Sequence, residues 1–334
     1  MNFKRIVSVV VAALVGIGIV WVLYARFRQA PPSPLPIAIT QFATPHSGLL
    51  HIAEAKGYFA AEGLRVTVKT VETGHEAITQ VLQGEADVGT TAETPVAKAL
   101  AEGKQPKIIA NIFSSRWSSG IIVRKDRGIL QPGDLKGKRI GFIFGTNVHY
   151  DLETFLAFHN IPLDAVTMVP GTADQLVTAI TAGELDAAST WEPWISQIRQ
   201  KLGGNTETYF PQGIYSETVA LVVRPDYVRL NRAAVDRLLR ALLKAELFAE
   251  THPDEAIGII EVASGMNTGT LRLHSEALAF ELSLAQALLL ATENEVGWFF
   301  RRGLVPAGAA PDVLQAFETE PLRAIKPASV TISK

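Results

Sequence analysis

The sequence contains no cysteine, which excludes disulfides, thiolate metal sites, a cysteine nucleophile and a lipidated N-terminal cysteine. It also lacks a charge excess, since 31 Lys and Arg stand against 33 Asp and Glu for a formal net charge of -2. Without a basic field nothing points to nucleic acid, and none is expected as a partner. The seven histidines show no HExxH-type spacing, and P-loop, nucleophile-elbow and Gly-x-Gly-x-x-Gly fingerprints are absent. Neither an enzyme nor a cofactor is expected. What is there is 334 residues, 48% hydrophobic and 19% charged, enough for two cores of ordinary domain size.

Residues 6–24 run for 19 positions without a charge. That length can span a bilayer and exceeds the usual apolar region of a secretory signal. Lys4 and Arg5 precede the run, Arg26 and Arg28 follow it, and no small-x-small triplet offers a cleavage site. Residues 1–30 therefore read as an uncleaved signal anchor or a cleaved signal peptide, and the rest of the chain as exported. Pro31, Pro32, Pro34 and Pro36 make 31–36 a stiff spacer.

A stretch in the globular part occurs twice: residues 84–95 read GEADVGTTAETP and 183–193 read GELDAASTWEP. Each copy follows a β-branched run, a Gly turn and a helical segment, so one supersecondary unit is used twice. Strands are predicted over 36–40, 66–70 and 87–89, with helices over 49–62, 76–83 and 95–102 between and after them. The second copy repeats the order with strands over 139–144, 165–169 and 186–189 and helices over 150–159, 173–182 and from 193. Alternation of this kind predicts an α/β fold of two duplicated lobes with parallel sheets. Strand-like runs 107–113, 120–124 and 218–223 are the expected connections between lobes. Lobe 1 is placed at 37–124 with 224–334, and lobe 2 at 125–223. Helices are expected over 231–252, 254–262, 270–290 and 295–302, covering the first lobe, with a loosely structured tail beyond 306.

In an open parallel sheet, ligands sit outside the carboxyl ends of the strands. Four polar loops qualify, at 41–48, 90–94, 145–149 and 190–194. Their Ser and Thr residues at helix starts suit an anion, because free N–H groups and the positive helix end point outward, or they simply cap. Thr90-x-x-Glu93 and Ser189-x-x-Glu192 both match the capping box, which makes capping the favoured role of the two glutamates. If they face the cleft instead, they select a ligand bearing an amine or ring N–H. Trp191 is a candidate cover for an organic ligand, whereas Trp194 suits the core. Arg116 can pair with a sulfonate, phosphate or carboxylate, or be a solvated surface residue. His46 and His149 occupy equivalent first loops, as anion donors or as plain loop residues.

The runs HIAEAKGYFAAEGLRV (51–66), GEADVG, ETP (93–95), DLKGKRIG (134–141) and DAASTWEPW (186–194) together resemble the nitrate/sulfonate/taurine and thiamine-pyrimidine-precursor group of ABC-transporter substrate-binding proteins. The likeness spans about residues 36 to 305. It implies a periplasmic-binding-protein fold of the second type, two lobes that close on a small solute by a hinge motion, and delivery to an ABC permease and ATPase. Ligand contacts are then expected from Thr44, His46, Ser47, Thr90, Thr91, Glu93, Arg116, Gly145, Thr146, Asn147, Trp191 and Glu192. A small oxyanion-bearing organic solute of the taurine kind leads as ligand, with nitrate, bicarbonate or a pyrimidine as alternatives. The expected setting is a monomer in the periplasm, tethered to the inner membrane by its N-terminal helix, which departs from the cleaved or lipidated N-terminus usual in this group. A tethered sensor and a same-fold biosynthetic enzyme are the rival readings. The pyrimidine-synthesising enzymes of this fold use a cysteine-rich motif that this chain cannot contain.

Overall fold

The chain forms eleven strands in the computed structural model, which describes residues 33–333 apart from 212, 214 and 215. The expected anchor or signal at 1–30 lies outside the described residues. Among the described residues no helix is long and apolar enough to cross a membrane.

The strands are β1 (Leu35–Phe42), β2 (Leu64–Val71), β3 (Val88–Ala92), β4 (Lys107–Ser115), β5 (Ser119–Arg124), β6 (Arg139–Phe142), β7 (Thr167–Pro170), β8 (Ala187–Trp191), β9 (Thr206–Tyr209), β10 (Glu217–Val223) and β11 (Leu278–Ala279). They form two sheets, ordered β11-β4-β10-β3-β1-β2 and β7-β6-β8-β5-β9. β3 and β8, which carry the doubled stretch, are buried at every residue, as central strands covered on both faces must be.

The sheets are mixed where all-parallel sheets were expected. β1 pairs parallel with β3, and β6 parallel with β7 and β8. β10, however, runs antiparallel between β3 and β4, and β5 antiparallel between β8 and β9. The chain passes from the first sheet to the second between β4 and β5 and back between β9 and β10, and residues 116–118 hold no crossover helix to restore the strand direction. β5 thus pairs in the second sheet, although the boundary at 124 places it with the first lobe. β10 pairs in the first sheet, although the boundary at 223 places it with the second.

Helices follow the expected order with local differences: α1 (Gly48–Ala55), α2 (Tyr58–Ala61), α3 (Gly74–Gln83), α4 (Glu93–Ala101), α5 (Asn147–Phe158), α6 (Ala173–Ala182), α7 (Trp194–Leu202), α8 (Pro225–Leu230), α9 (Arg232–Thr251), α10 (Pro253–Ala263), α11 (Gln286–Arg301) and α12 (Thr319–Ile325). The single helix expected over 49–62 is broken at Gly57, which sits at φ 69°, a left-handed conformation that ends a helix. A 3₁₀ turn (Arg272–Ala277), β11 and the one helix α11 replace the two helices expected over 270–302. The tail is ordered, with Phe317 bridging to Ile108 of β4 and α12 packed on the same strand. As expected, the C-terminal helices cover the first lobe: α9 and α10 pack on α1, and α11 packs on α4.

Each face of the second sheet has its own core. Ile121 and Val123 of β5 face Leu152, Phe155 and Leu156 of α5, while Ile122 between them faces Val177, Ile180, Ile195 and Ile198 of α6 and α7. This is the two-residue alternation of a strand buried on both sides.

Candidate functional site

Strand ends and helix starts from both sheets meet at one pocket. β1 delivers Phe42 and, just beyond it, Thr44 and His46. The loop before α3 delivers Glu72 and Thr73, and α3 itself begins at Gly74. The β3–α4 junction supplies Ala92 and Pro95, and the start of α5 supplies Thr146 and Asn147. Trp191 ends β8 and Glu217 begins β10. The empty space between these residues, open solvent at its edge included, is about 350 Å³.

Glu217 is its electrostatic centre. The side chain of Asn147 donates to Oε1 at 2.8 Å, and the Ser118 hydroxyl donates to Oε2 at 2.6 Å. His46 Nε2 donates to Oε2 at 3.3 Å while its Nδ1 lies 2.8 Å from the Thr44 hydroxyl. Burial alone would raise the pKa of this carboxylate, but the neighbouring His46 and the donors His46, Ser118 and Ser119 outweigh it and hold Glu217 below the usual range. The carboxylate therefore ties the first sheet, the inter-sheet turn and α5 together at the pocket wall.

No Lys or Arg lines the pocket among the described residues, whereas two glutamates, Glu72 and Glu217, do. Positive potential comes from backbone: the first turns of α3 and α5 end here, with their uncompensated N–H groups and dipoles. The Thr73 hydroxyl caps α3 by accepting from the Glu76 N–H at 3.2 Å. Gly74 has no room for a side chain, since a Cβ there would sit 2.3 Å from the Thr91 hydroxyl oxygen. Phe42 and Trp191 supply the apolar walls, and Trp191 is itself packed into the second lobe's core.

A wider compartment, about 810 Å³ of empty space with open solvent included, adjoins the pocket, sharing Thr44, Glu72, Thr73 and Trp191 and adding Val71, Ile143, Asp174, Pro193 and Trp194. Its lining comes from both lobes, so it is the mouth of the cleft between them.

Five of the residues singled out in the sequence line the pocket: Thr44, His46, Thr146, Asn147 and Trp191. The other seven lie outside its lining. Ser47 is buried in the 3₁₀ turn before α1. Thr90 and Thr91 are interior residues of β3, Thr90 accepting from the Phe42 N–H at 3.2 Å. Glu93 accepts from the N–H and hydroxyl of Thr218 at 3.1 and 2.7 Å. Arg116 is exposed in the inter-sheet turn. Gly145 faces Lys98 of α4 rather than the pocket. Glu192 accepts from the Ser196 N–H at 3.1 Å, so it satisfies a first-turn donor of α7.

The capping-box reading changes accordingly. Thr90 and Ser189 are strand residues, and the helices start at Glu93 and Trp194, so neither spacing forms its box. Glu192 still serves a helix start, through Ser196, whereas Glu93 ties α4 to β10. His149 leaves the loop for the first turn of α5, where it faces Glu153 and Trp298 instead of the pocket. Phe42, Glu72, Thr73, Gly74, Ala92, Pro95 and Glu217 were not singled out. Only the TGH start of α3 offered a local signal, a cap and glycine before a helix.

Two mixed sheets with a cleft between them, fed by helix starts on both sides, define a two-lobed periplasmic-binding-protein fold. The NMT1/THI5-like family profile matches residues 44–256, and the chain belongs to that family. It is 28% identical over 231 residues to a protein of Brucella abortus named for binding without a stated ligand, a match covering 68% of this chain and 70% of that one. It is 26% identical over 208 residues to the taurine-binding periplasmic protein of Escherichia coli, covering 61% and 63%. Among solved structures, the alkanesulfonate-binding protein SsuA from Xanthomonas axonopodis pv. citri bound to MOPS superposes with a TM-score of 0.74 at 19% identity, covering 86% of this chain and all of that one.

Proposed function

We propose that the chain is the extracytoplasmic solute-binding component of an ABC importer, capturing a small organic solute between its lobes and handing it to a membrane permease. The observation that carries the reading is the pocket at the cleft, built from strand ends and helix starts of both lobes. A solute touching Thr44, Gly74 and Asn147 at once holds the lobes together, and differential contact of this kind is what drives hinge closure. The hinge in this proposal is the pair of crossings, from β4 to β5 and from β9 to β10. No bond is made or broken in this scheme. The histidine–carboxylate pair at the pocket, His46 and Glu217, is engaged with Thr44, Ser118 and Asn147.

The chemistry of the lining favours a taurine-like aminosulfonate. Its sulfonate fits the helix starts at Gly74 and Asn147, and its ammonium fits the negative field of Glu72 and Glu217. A bare oxyanion meets that field with no side-chain cation to offset it. A second reading, a flat pyrimidine-type ring, is favoured by Phe42 and Trp191 facing one pocket with a carboxylate beside them. The protein acts in the periplasm as a monomer in this proposal, with the tether at 1–30 supported by sequence alone.

A thermal-shift screen of taurine, alkanesulfonates, nitrate, bicarbonate and aminopyrimidines tests this directly. Taurine is expected to raise the midpoint and nitrate to leave it unchanged. Stabilisation by nitrate alone would overturn the amine-bearing ligand, and a response only to pyrimidines would select the second reading.

A further inference from the structure

Helix α5 works at two places. Its first turn presents Thr146 and Asn147 to the pocket, and less than two turns later Glu153 faces α11 instead. There the carboxylate is only 7% exposed. Trp298 Nε1 donates to its Oε2 at 2.8 Å, and Arg302 donates through Nε at 2.9 and 3.2 Å and through Nη2 at 3.1 Å to both oxygens. His149, whose Nδ1 accepts from the Gly145 N–H at 3.3 Å, carries its proton on Nε2 and points it at Glu153 Oε1, also at 3.3 Å. The Trp298 ring packs edge-on against both His149 and Tyr150.

The partners belong to different lobes. α5 packs on β5, β6 and β8 of the second sheet, whereas α11 packs on α4 over the first. An anion of one lobe is therefore enclosed by a bidentate guanidinium and an indole N–H of the other. Charge-assisted, bidentate pairs of this kind are among the stronger side-chain hydrogen bonds. None of Glu153, Trp298 and Arg302 lines the solute pocket.

We propose that Glu153 is a positioning residue: gripped by Trp298 and Arg302, it latches the two lobes together away from the solute and sets how long the solute is held. Opening the cleft must break this grip, so the latch adds to the closed state whether or not a solute is present. A more populated closed state raises apparent affinity by the same factor. Arg302 is partly exposed (43%), so solvent screens part of the pairing and the latch still opens.

The inference rests on the binding reading only for its effect on solute, so its main test uses none. Because the chain has no cysteine, spin labels can be attached at Lys69→Cys and Gln175→Cys, exposed positions beside the mouth on opposite lobes. In the full-length, ligand-free protein, Glu153→Gln and Arg302→Gln are each expected to shift the inter-label distance to longer values. The double variant is expected to match the single ones, and Arg302→Lys to shift less. Unchanged distances together with a lowered thermal midpoint would mean that the cluster only stabilises the fold, and would overturn the latch. With taurine as probe, Glu153→Gln is expected to speed dissociation by about tenfold. Failure of taurine to bind would count against the proposed ligand and leave the distance measurement to decide the latch.

Discussion

Two buried glutamates beside Thr218 titrate in opposite directions. Glu217 has His46, Ser118 and Asn147 around it and is held below the ordinary range in spite of burial. Glu93 is equally buried, receives the Thr218 donors and its own backbone N–H, lies in the field of Glu217, and is pushed up to about 8. Glu93 thus favours the fold in its protonated form: its contribution is whole below an ordinary carboxylate pKa and fades as the pH rises through about 8. Glu217 has the opposite sign, contributing above the ordinary range and losing that contribution as the pH falls through its lowered value. Urea unfolding between about pH 5 and 8 is therefore expected to show a falling midpoint that Glu93→Gln flattens; equal slopes in both proteins would refute the assignment. Glu217→Ala, which strands His46 and Asn147, is expected to cost about 3–5 kcal/mol, and Glu217→Gln less. Glu192→Gln should lower stability by about 1 kcal/mol through the Ser196 contact while leaving solute affinity unchanged. Trp191→Ala should weaken binding at least tenfold, roughly 1.4 kcal/mol or more, as read by calorimetry.

At the scale of elements, the alternation of strands and helices was legible and their ends were not. Residues 90 and 189 satisfied a capping-box spacing, yet β3 and β8 continue two residues past each of them. Pairing with β10 and β5 keeps those residues extended, and such long-range pairing leaves no local trace. Glu217 was missed for a related reason. It stands one residue before the β-branched run that marks β10, and its partner His46 is 171 positions away. Gly74 carries the reverse lesson, because its need for a missing side chain comes from Thr91 on another element. Gly74→Ala is expected to destabilise by about 1–3 kcal/mol and to distort the pocket, so denaturation and binding should both suffer. If only binding falls, the close packing against Thr91 is not what selects glycine.

At the scale of the molecule, the doubled stretch correctly indicated two similar lobes, because a duplicated strand–helix unit is visible in residue order. How the lobes interlock is not. Each sheet is completed by an antiparallel strand that follows a crossing, and only the assembled fold shows which sheet receives which strand. Solute held by both lobes is expected to stabilise the whole protein, by about 2.7 kcal/mol at a hundredfold excess over Kd. Contact with one lobe alone would raise the unfolding midpoint of that lobe and leave the other's unchanged.

The interlocking also orders events during synthesis. β5 to β9 are consecutive in the chain and form a complete sheet, so that sheet can close as soon as residue 209 has been made. The first sheet starts earlier and finishes later: β1, β2 and β3 are neighbours, but β4 joins β3 only through β10, so β4 must wait for residues 217–223. A pulse-labelling hydrogen-exchange experiment on the refolding chain should find β5, β6 and β8 protected before β4.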